Sequence, residues 1–247
     1  MSQSLQGKRA LVTGGSRGIG AAIVQRLARD GADVAFTYVT PSAQVDQTAK
    51  AVAAAGRRAI PLAADSANPL ALAQAVDQAA SGLGGLDILV NNAGVALVAP
   101  IEQFRLEDFD RTVAINIRAV FVAIQASLKH MPNGGRIVNI GSCNAERMPF
   151  LGGCVYAMSK AALVGLVKGL ARDLGPRAIT VNNVEPGPTD TDMNPANGPS
   201  ADFLRPIMAL GRYGRPEEVA AMVAYVVGPE AGWVTGASLD IDGGFNA

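Results

Sequence analysis

The chain has 247 residues, 49% hydrophobic and 17% charged, with 21 basic and 21 acidic side chains. This composition suits a folded protein with a sizeable core. The balanced charge gives no electrostatic case for nucleic acid or an anionic membrane surface. No apolar run reads as long enough to span a bilayer, because the best candidate, "AALVGLVKGLA", is interrupted by Lys168.

Short apolar runs alternate with amphipathic stretches along the whole chain. "RALVT" (9–13) reads as a first strand, followed by a helix from about Gly18 to Arg29. "ADVAFTY" (32–38) is a second strand, with a helix from Ala43 to Ala55. "RAIPLAA" (58–64) is a third, with a helix from Pro69 to Ser81. "LDILVNNA" (86–93) is a fourth, before a long helical segment near Leu106 to Lys129. "GRIVNIGS" (135–142) is a fifth, and Val155 to Leu174 reads as a helix. "AITVNNVEPG" (178–187) is a sixth strand, and a helix near Pro216 to Val227 leads to a last strand at Ala237–Ile241. The alternation predicts an α/β class: a doubly wound, seven-stranded parallel sheet with helices on both faces. Ligands of such sheets bind beyond the carboxyl ends of the strands.

After the first strand comes "TGGSRGIG". Its glycines, Gly14, Gly18 and Gly20, open directly into a helix, as a pyrophosphate-binding turn requires. Ser16, Arg17 and Ile19 lie in the same loop and join the glycines as candidate cofactor contacts. The end of the second strand, where NAD-binding units place a carboxylate on the ribose, holds the neutral Thr37 and Tyr38; Asp33 is at the wrong end. Arg17 offers a cation to a 2′-phosphate, so NADP(H) is expected over NAD(H). Asp65, followed by Ser66, has two readings: an acceptor for adenine, or a helix cap before "NPLALAQAV". Asn92, Ala93 and Gly94 of "NNAG" suit close packing against a cofactor. In "PGPTDTDM" (186–193), Pro186, Gly187, Thr189 and Thr191 form a loop for the nicotinamide end, and 189–210, rich in Pro, Asn and Gly, reads as a substrate lid. Tyr156 and Lys160 lie four residues apart, just over one helical turn, and so share a face.

In this order and spacing, TGxxxGIG, NNAG, a serine ending strand five, YxxxK and a PG after strand six closely resemble the short-chain dehydrogenase/reductase family, over about Gly7 to the C-terminal "VTGASLDIDGG". The resemblance implies a single Rossmann-type domain, here 1–247, a homotetramer, and a catalytic set at Asn116, Ser142, Tyr156 and Lys160. A ketone accepting hydride develops negative charge on its oxygen; Ser142 is placed to donate to it. Tyr156 is then the acid in reduction and the base in oxidation, its pKa lowered by Lys160 and by oxidised nicotinamide. As in the family, Lys160 also holds the nicotinamide ribose, and Asn116 keeps a water in a relay from Lys160 to solvent.

Ala96, Asn144, Met148, Phe150 and Met193 are candidate substrate contacts, with Val95 and Leu151 beside them. Most are apolar, which fits a hydrophobic ketone or secondary alcohol. Glu185 departs from the small or neutral residue more usual before the Pro-Gly pair. Cys143 and Cys154 are expected to remain thiols, His130 to be an exposed helix end, and no metal site is evident. The N-terminus lacks an apolar signal core, so a cytoplasmic protein is expected. The first functional reading is an NADP(H)-dependent carbonyl reductase. A narrower one is a 3-oxoacyl-carrier-protein reductase, with Arg177 in a basic docking patch. A third is a nucleotide sensor, because relatives with similar "DMNPANGP" and "GPEA" segments are described as cyclic-dinucleotide-binding.

Overall fold

A computed structural model describes residues 4–247; the first three residues of the expected domain lie outside them. Seven parallel strands form one sheet in the order β3-β2-β1-β4-β5-β6-β7. They are β1 (Arg9–Val12), β2 (Asp33–Tyr38), β3 (Ala59–Ala63), β4 (Ile88–Asn91), β5 (Arg136–Ile140), β6 (Thr180–Pro186) and β7 (Ser238–Ile241). The helices are α1 (Gly18–Arg29), α2 (Ala43–Ala54), α3 (Pro69–Leu83), α4 (Leu106–Val113), α5 (Ala119–Ser127), α6 (Cys154–Leu174), α7 (Ala201–Leu204) and α8 (Pro216–Val227). The expected doubly wound architecture is the one observed.

Successive strand residues point to opposite faces, and both faces are apolar. Val12, Phe36, Val138 and Val184 pack with α1 and α8 on one side. Leu11, Leu89, Ile137 and Val181 pack with α3, α5 and α6 on the other. Each such buried side chain contributes about 1.5–3 kcal/mol relative to exposure. Local chemistry fixes the helix ends. Asn68 accepts from the Leu70 and Ala71 N–H groups, Pro69 takes the first helical position of α3, and Gly84 ends it at φ +80°.

Three features escape hydrophobic patterning. The helical segment expected over 106–129 is interrupted at Ala114–Arg118 by a wider π-helical turn between α4 and α5. Across the sheet, Asn91 donates to Asn139 (2.9 Å), Asn139 to Asn183 (3.1 Å), and Asn183 to Ser238 (3.2 Å). This polar rung runs through the α6 side of an otherwise apolar core. By length and composition α6 is apolar enough to cross a membrane, which corrects the reading that no run is. In the fold it lays Val155, Leu163 and Val167 inward.

Candidate active site

The strand order reverses between β1 and β4, and the cleft lies beyond their carboxyl ends. Thr37 anchors the glycine loop: its Oγ1 accepts from the Gly14 N–H at 2.9 Å, and its carbonyl from the Gly15 N–H at 2.9 Å. Thr13 Oγ1 accepts from the Asn92 and Ala93 N–H groups at 3.0 and 3.1 Å. Asn92 Nδ2 donates to the Thr13 and Gly14 carbonyls, both at 3.0 Å. Asn92 therefore ties the two loops together with its side chain. Gly14 and Gly18 have φ of +64° and +53°. A Cβ on Gly20 would lie 2.2 Å from the Gly14 carbonyl oxygen and 2.5 Å from Asn92 Nδ2. α1 carries no acidic residue in its first turn, so its free N–H groups face an anion unopposed. This cradle fits a dinucleotide pyrophosphate.

At the outer end of the cleft, Tyr38 is half-buried and no carboxylate follows β2. Asp33 is taken up by Arg57 and Arg58. Arg17 is exposed, with Nη1 3.9 Å from Asp192 Oδ2 in the 189–210 segment, and Gln44 Nε2 reaches the same oxygen at 3.4 Å. An exposed pair of this kind contributes roughly 0–1 kcal/mol, so a phosphate can take Arg17 from it. The cap expected at Asp65 falls instead on Asn68. Asp65 Oδ1 accepts from the Ala67 N–H at 2.9 Å, closing its own turn beside the buried Ser66.

The four candidate catalytic residues converge. Ser142, directly after Gly141 at the end of β5, is buried; its Oγ accepts from the Asn144 N–H at 3.2 Å and lies near enough to the Tyr156 phenol to favour its ionised form. Lys160 Nζ is buried, donates to the Ile140 carbonyl at 2.8 Å and lies 5.8 Å from the Tyr156 ring centroid. Asn116 sits in the π-helical turn. Its Oδ1 accepts from the Val95 N–H, and its Nδ2 donates to the Val95 carbonyl and to Ser159 Oγ, all at 2.9 Å. Ser159 Oγ in turn donates to the Tyr156 carbonyl at 2.7 Å. A Cβ on Gly94 would lie 3.5 Å from Asn116 Oδ1 and 3.6 Å from Lys160 Nζ, so Gly94 keeps the space between them open.

The electrostatics correct one expectation. Burial pushes the Tyr156 hydroxyl up from the ordinary phenol value, opposed by the nearby Ser142 hydroxyl; Lys160 does not lower it in the protein alone. Burial also acts on Lys160, bringing its ammonium down to about 8, against the field of Glu185. Burial pushes the Cys143 thiol up to about 12, which makes it unreactive; Cys143 and Cys154 are both free. His130 is half-buried rather than a bare helix end, with Nε2 2.7 Å from Asp77 Oδ1. Among the described residues no cluster has the makings of a metal site.

The substrate candidates are divided. Met148 and Phe150 pack against Gly153, where a Cβ would meet the Met148 sulfur at 2.5 Å and the Phe150 ring at 3.1 Å. Asn144 turns back on its own loop, donating to the Arg147 carbonyl at 2.9 Å. Ala96 is exposed, as are Met193 at 60% and Leu151 at 94%, so Leu151 lines no enclosed pocket. The 189–210 segment is anchored: Thr189 bridges to Gly214, Thr189 Oγ1 donates to the Gly187 carbonyl at 2.9 Å, and Thr191 lies against Gly18. Pro186 is buried at the end of β6, and a Cβ on Gly187 would strike the Asp242 backbone at 2.6 Å. Ala201, Leu204, Met208 and Tyr213 form a satellite core with Cys143 and Phe245.

A family model described as enoyl-(acyl carrier protein) reductase matches residues 14–246. A short-chain dehydrogenase/reductase from Serratia marcescens superimposes with a TM-score of 0.97 at 61% identity, covering 98% of this chain and 99% of that one. The chain belongs to the short-chain dehydrogenase/reductase family. A short-chain dehydrogenase from Burkholderia cenocepacia, solved in complex with NADP, is 58% identical with a TM-score of 0.97, over 98% of this chain and 99% of that one. A cyclic-di-GMP-binding biofilm dispersal mediator protein of Escherichia coli is 49% identical over 98% of both chains. Within this short-chain dehydrogenase/reductase, sequence reasoning missed three anchors, Thr13, Thr37 and Ser159. The first two stand at the ends of strands leading into the cleft, where a hydroxyl can hold a loop; Ser159 precedes Lys160 and carried no signal of its own.

Proposed function

We propose that the protein is an NADP(H)-dependent carbonyl reductase, interconverting a hydrophobic ketone and its secondary alcohol. The observation that carries this reading is the convergence of Ser142, Tyr156, Lys160 and Asn116 at the mouth of a glycine cradle. The dinucleotide supplies and accepts the hydride. Gly14, Gly18 and Gly20, with Ser16, Arg17 and Ile19, hold its pyrophosphate, and Arg17 turns from Asp192 to the 2′-phosphate. Tyr38, Asp65 and Ser66 border the adenosine. Asn92, Ala93, Gly94, Pro186, Gly187, Thr189 and Thr191 border the nicotinamide half. The Lys160 ammonium holds the ribose, Ser142 donates to the developing oxyanion, and Tyr156 delivers the proton. Asn116 Oδ1, beside Lys160 across Gly94, relays protons to solvent through water. The 189–210 segment closes over a substrate contacting Ala96, Met148, Phe150 and Met193, and the assembly is a cytoplasmic homotetramer.

Burial keeps the Tyr156 hydroxyl protonated, so the acid for reduction is always ready. Ketone reduction is expected to fall only as pH rises through the Lys160 value of about 8, whereas alcohol oxidation rises with pH. Initial rates in both directions across pH 6–10 check this. Gly20→Ala is expected to weaken NADPH binding by roughly 10- to 100-fold, as overpacking of about 1–3 kcal/mol implies. Calorimetric titration reads it.

The carrier-protein version is weaker. Arg177 Nη2 donates inward to the Leu128 and Met131 carbonyls, so this guanidinium is turned away from an acidic partner. The 49% identical Escherichia coli relative favours a sensor as the second reading. Titration with NADPH, NADH and cyclic di-GMP, alongside a panel of aliphatic and aryl ketones, separates the two. The reductase reading requires NADPH binding and turnover of at least one ketone. Cyclic di-GMP binding without turnover supports the sensor.

A further inference from the structure

Glu185, the residue that departs from the family pattern, lies in the penultimate position of β6 with none of its surface exposed. Buried carboxyls are ordinarily paired with a cation or fully hydrogen-bonded. Here neither oxygen completes a well-formed hydrogen bond, although the Ser238 and Asn183 side chains lie close enough to favour the anion. The residue is built in. A Cβ at Gly141 would meet Glu185 Cγ at 3.0 Å and Oε1 at 3.3 Å, so the glycine before Ser142 makes room for this carboxyl. Glu185 thus lies against the turn that sets Ser142, on the same sheet face as α6 and at the end of the asparagine rung.

The titratable groups around it can be named from each packed element. α6 contributes Lys160. The turn after β5 contributes Cys143 and Glu146. β7 contributes Asp240, its register partner, and Asp242 follows beyond. Lys160 is the one cation among them, and among the described residues its hydrogen-bond partner is the neutral Ile140 carbonyl. An ammonium buried with a single neutral acceptor loses its proton readily unless an anion faces it.

We propose that Glu185 is a positioning residue for Lys160, a sealed carboxylate beneath the Gly141–Ser142 turn that keeps the ammonium charged through the pH range in which the reductase works. This rests on reading Lys160 as part of the reductase site. Burial holds the Glu185 carboxyl above its ordinary range, with Asp240 and Glu146 adding to the rise and Ser238 and Asn183 opposing it; its field reaches Lys160 without contact, past the Gly141 backbone that follows the Ile140 carbonyl.

The test is the titration of Lys160 in the full-length protein labelled with 13Cε-lysine, the resonance assigned by its loss in Lys160→Arg. In Glu185→Gln, which keeps shape and removes charge, the Lys160 midpoint is expected to fall by at least about half a pH unit, a shift of the size a nearby charge produces. The alkaline limb of NADPH-dependent ketone reduction is expected to move with it. A purely structural role would lower stability and leave both midpoints in place, and an unchanged Lys160 midpoint overturns the proposal. Should Glu185→Gln fail to fold, Glu185→Leu, which leaves no polar atom to strand, gives the same readout. The resonance needs no ketone. A shifted midpoint in a protein that reduces nothing supports the coupling and overturns the reductase reading alone.

Discussion

Lys160→Met is expected to yield a protein that is more stable at neutral pH and inactive as a reductase. Burial brings the Lys160 ammonium from 10.5 down to about 8, a difference of roughly 3 kcal/mol between its folded and unfolded protonation equilibria. Below pH 8 the folded chain carries that penalty in full, because it must hold a charge that it solvates poorly. As pH rises from 8 toward 10.5 the folded form is already neutral while the unfolded form still binds a proton, so wild-type stability rises through that window. Methionine fills a similar volume without a charge. Losing the bond to the Ile140 carbonyl returns about 1 kcal/mol. A net gain of about 2 kcal/mol at pH 7 corresponds to a Tm rise of roughly 4–8 °C for a chain of this size. Thermal unfolding at pH 7 and pH 10 checks it: the advantage is expected at the first and lost at the second. Lys160 is kept at the expense of stability, as groups at functional sites often are.

Tyr156→Phe is expected to lower kcat for ketone reduction by about a thousandfold, within the range of about 10²–10⁴ for a lost general acid. In the proposed mechanism the hydroxyl is the donor whose proton is replaced from solvent through Lys160 and Asn116, whereas Ser142 would still stabilise charge with no partner to reload it. NADPH affinity should change little, because the proposed phosphate contacts are Gly14, Gly18, Gly20 and Arg17, away from the phenol. Steady-state kinetics with a saturating ketone, beside NADPH titration of the same variant, checks both parts. An equal loss in NADPH binding would instead place the phenol in the cofactor site.

Most of the fold was legible because its signals are local. Apolar runs such as "ILVN" and "RIVNI" mark buried parallel strands, and glycines and prolines mark the turns. The glycine cradle and the Tyr156–Lys160 pair were legible for the same reason, each lying within a few residues. Less legible were the contacts made across the sheet. Asn91, Asn139 and Asn183 each look like turn or edge residues within their own strands; only the register aligns them into one rung. Thr37 reads as the lack of an acid, yet it holds Gly14 from 23 residues away. The π-helical turn that swings Asn116 toward Val95 and Ser159 has no sequence signature, since "VAINI" suits a regular helix equally well. The sign of the Tyr156 shift was misjudged because the spacing shows the lysine and hides the burial that sets the direction.

The most direct test of hydride transfer coupled to a phenolic proton is a stopped-flow single turnover of the wild-type enzyme. Protein preloaded with NADPH, or with NADPH deuterated at the transferred position, is mixed with a hydrophobic ketone in water and in D2O, and nicotinamide absorbance is followed. The account predicts decay of that absorbance, slowed by each isotope and slowed further by both together. Absorbance that stays constant for every ketone, or decay indifferent to both isotopes, would contradict it.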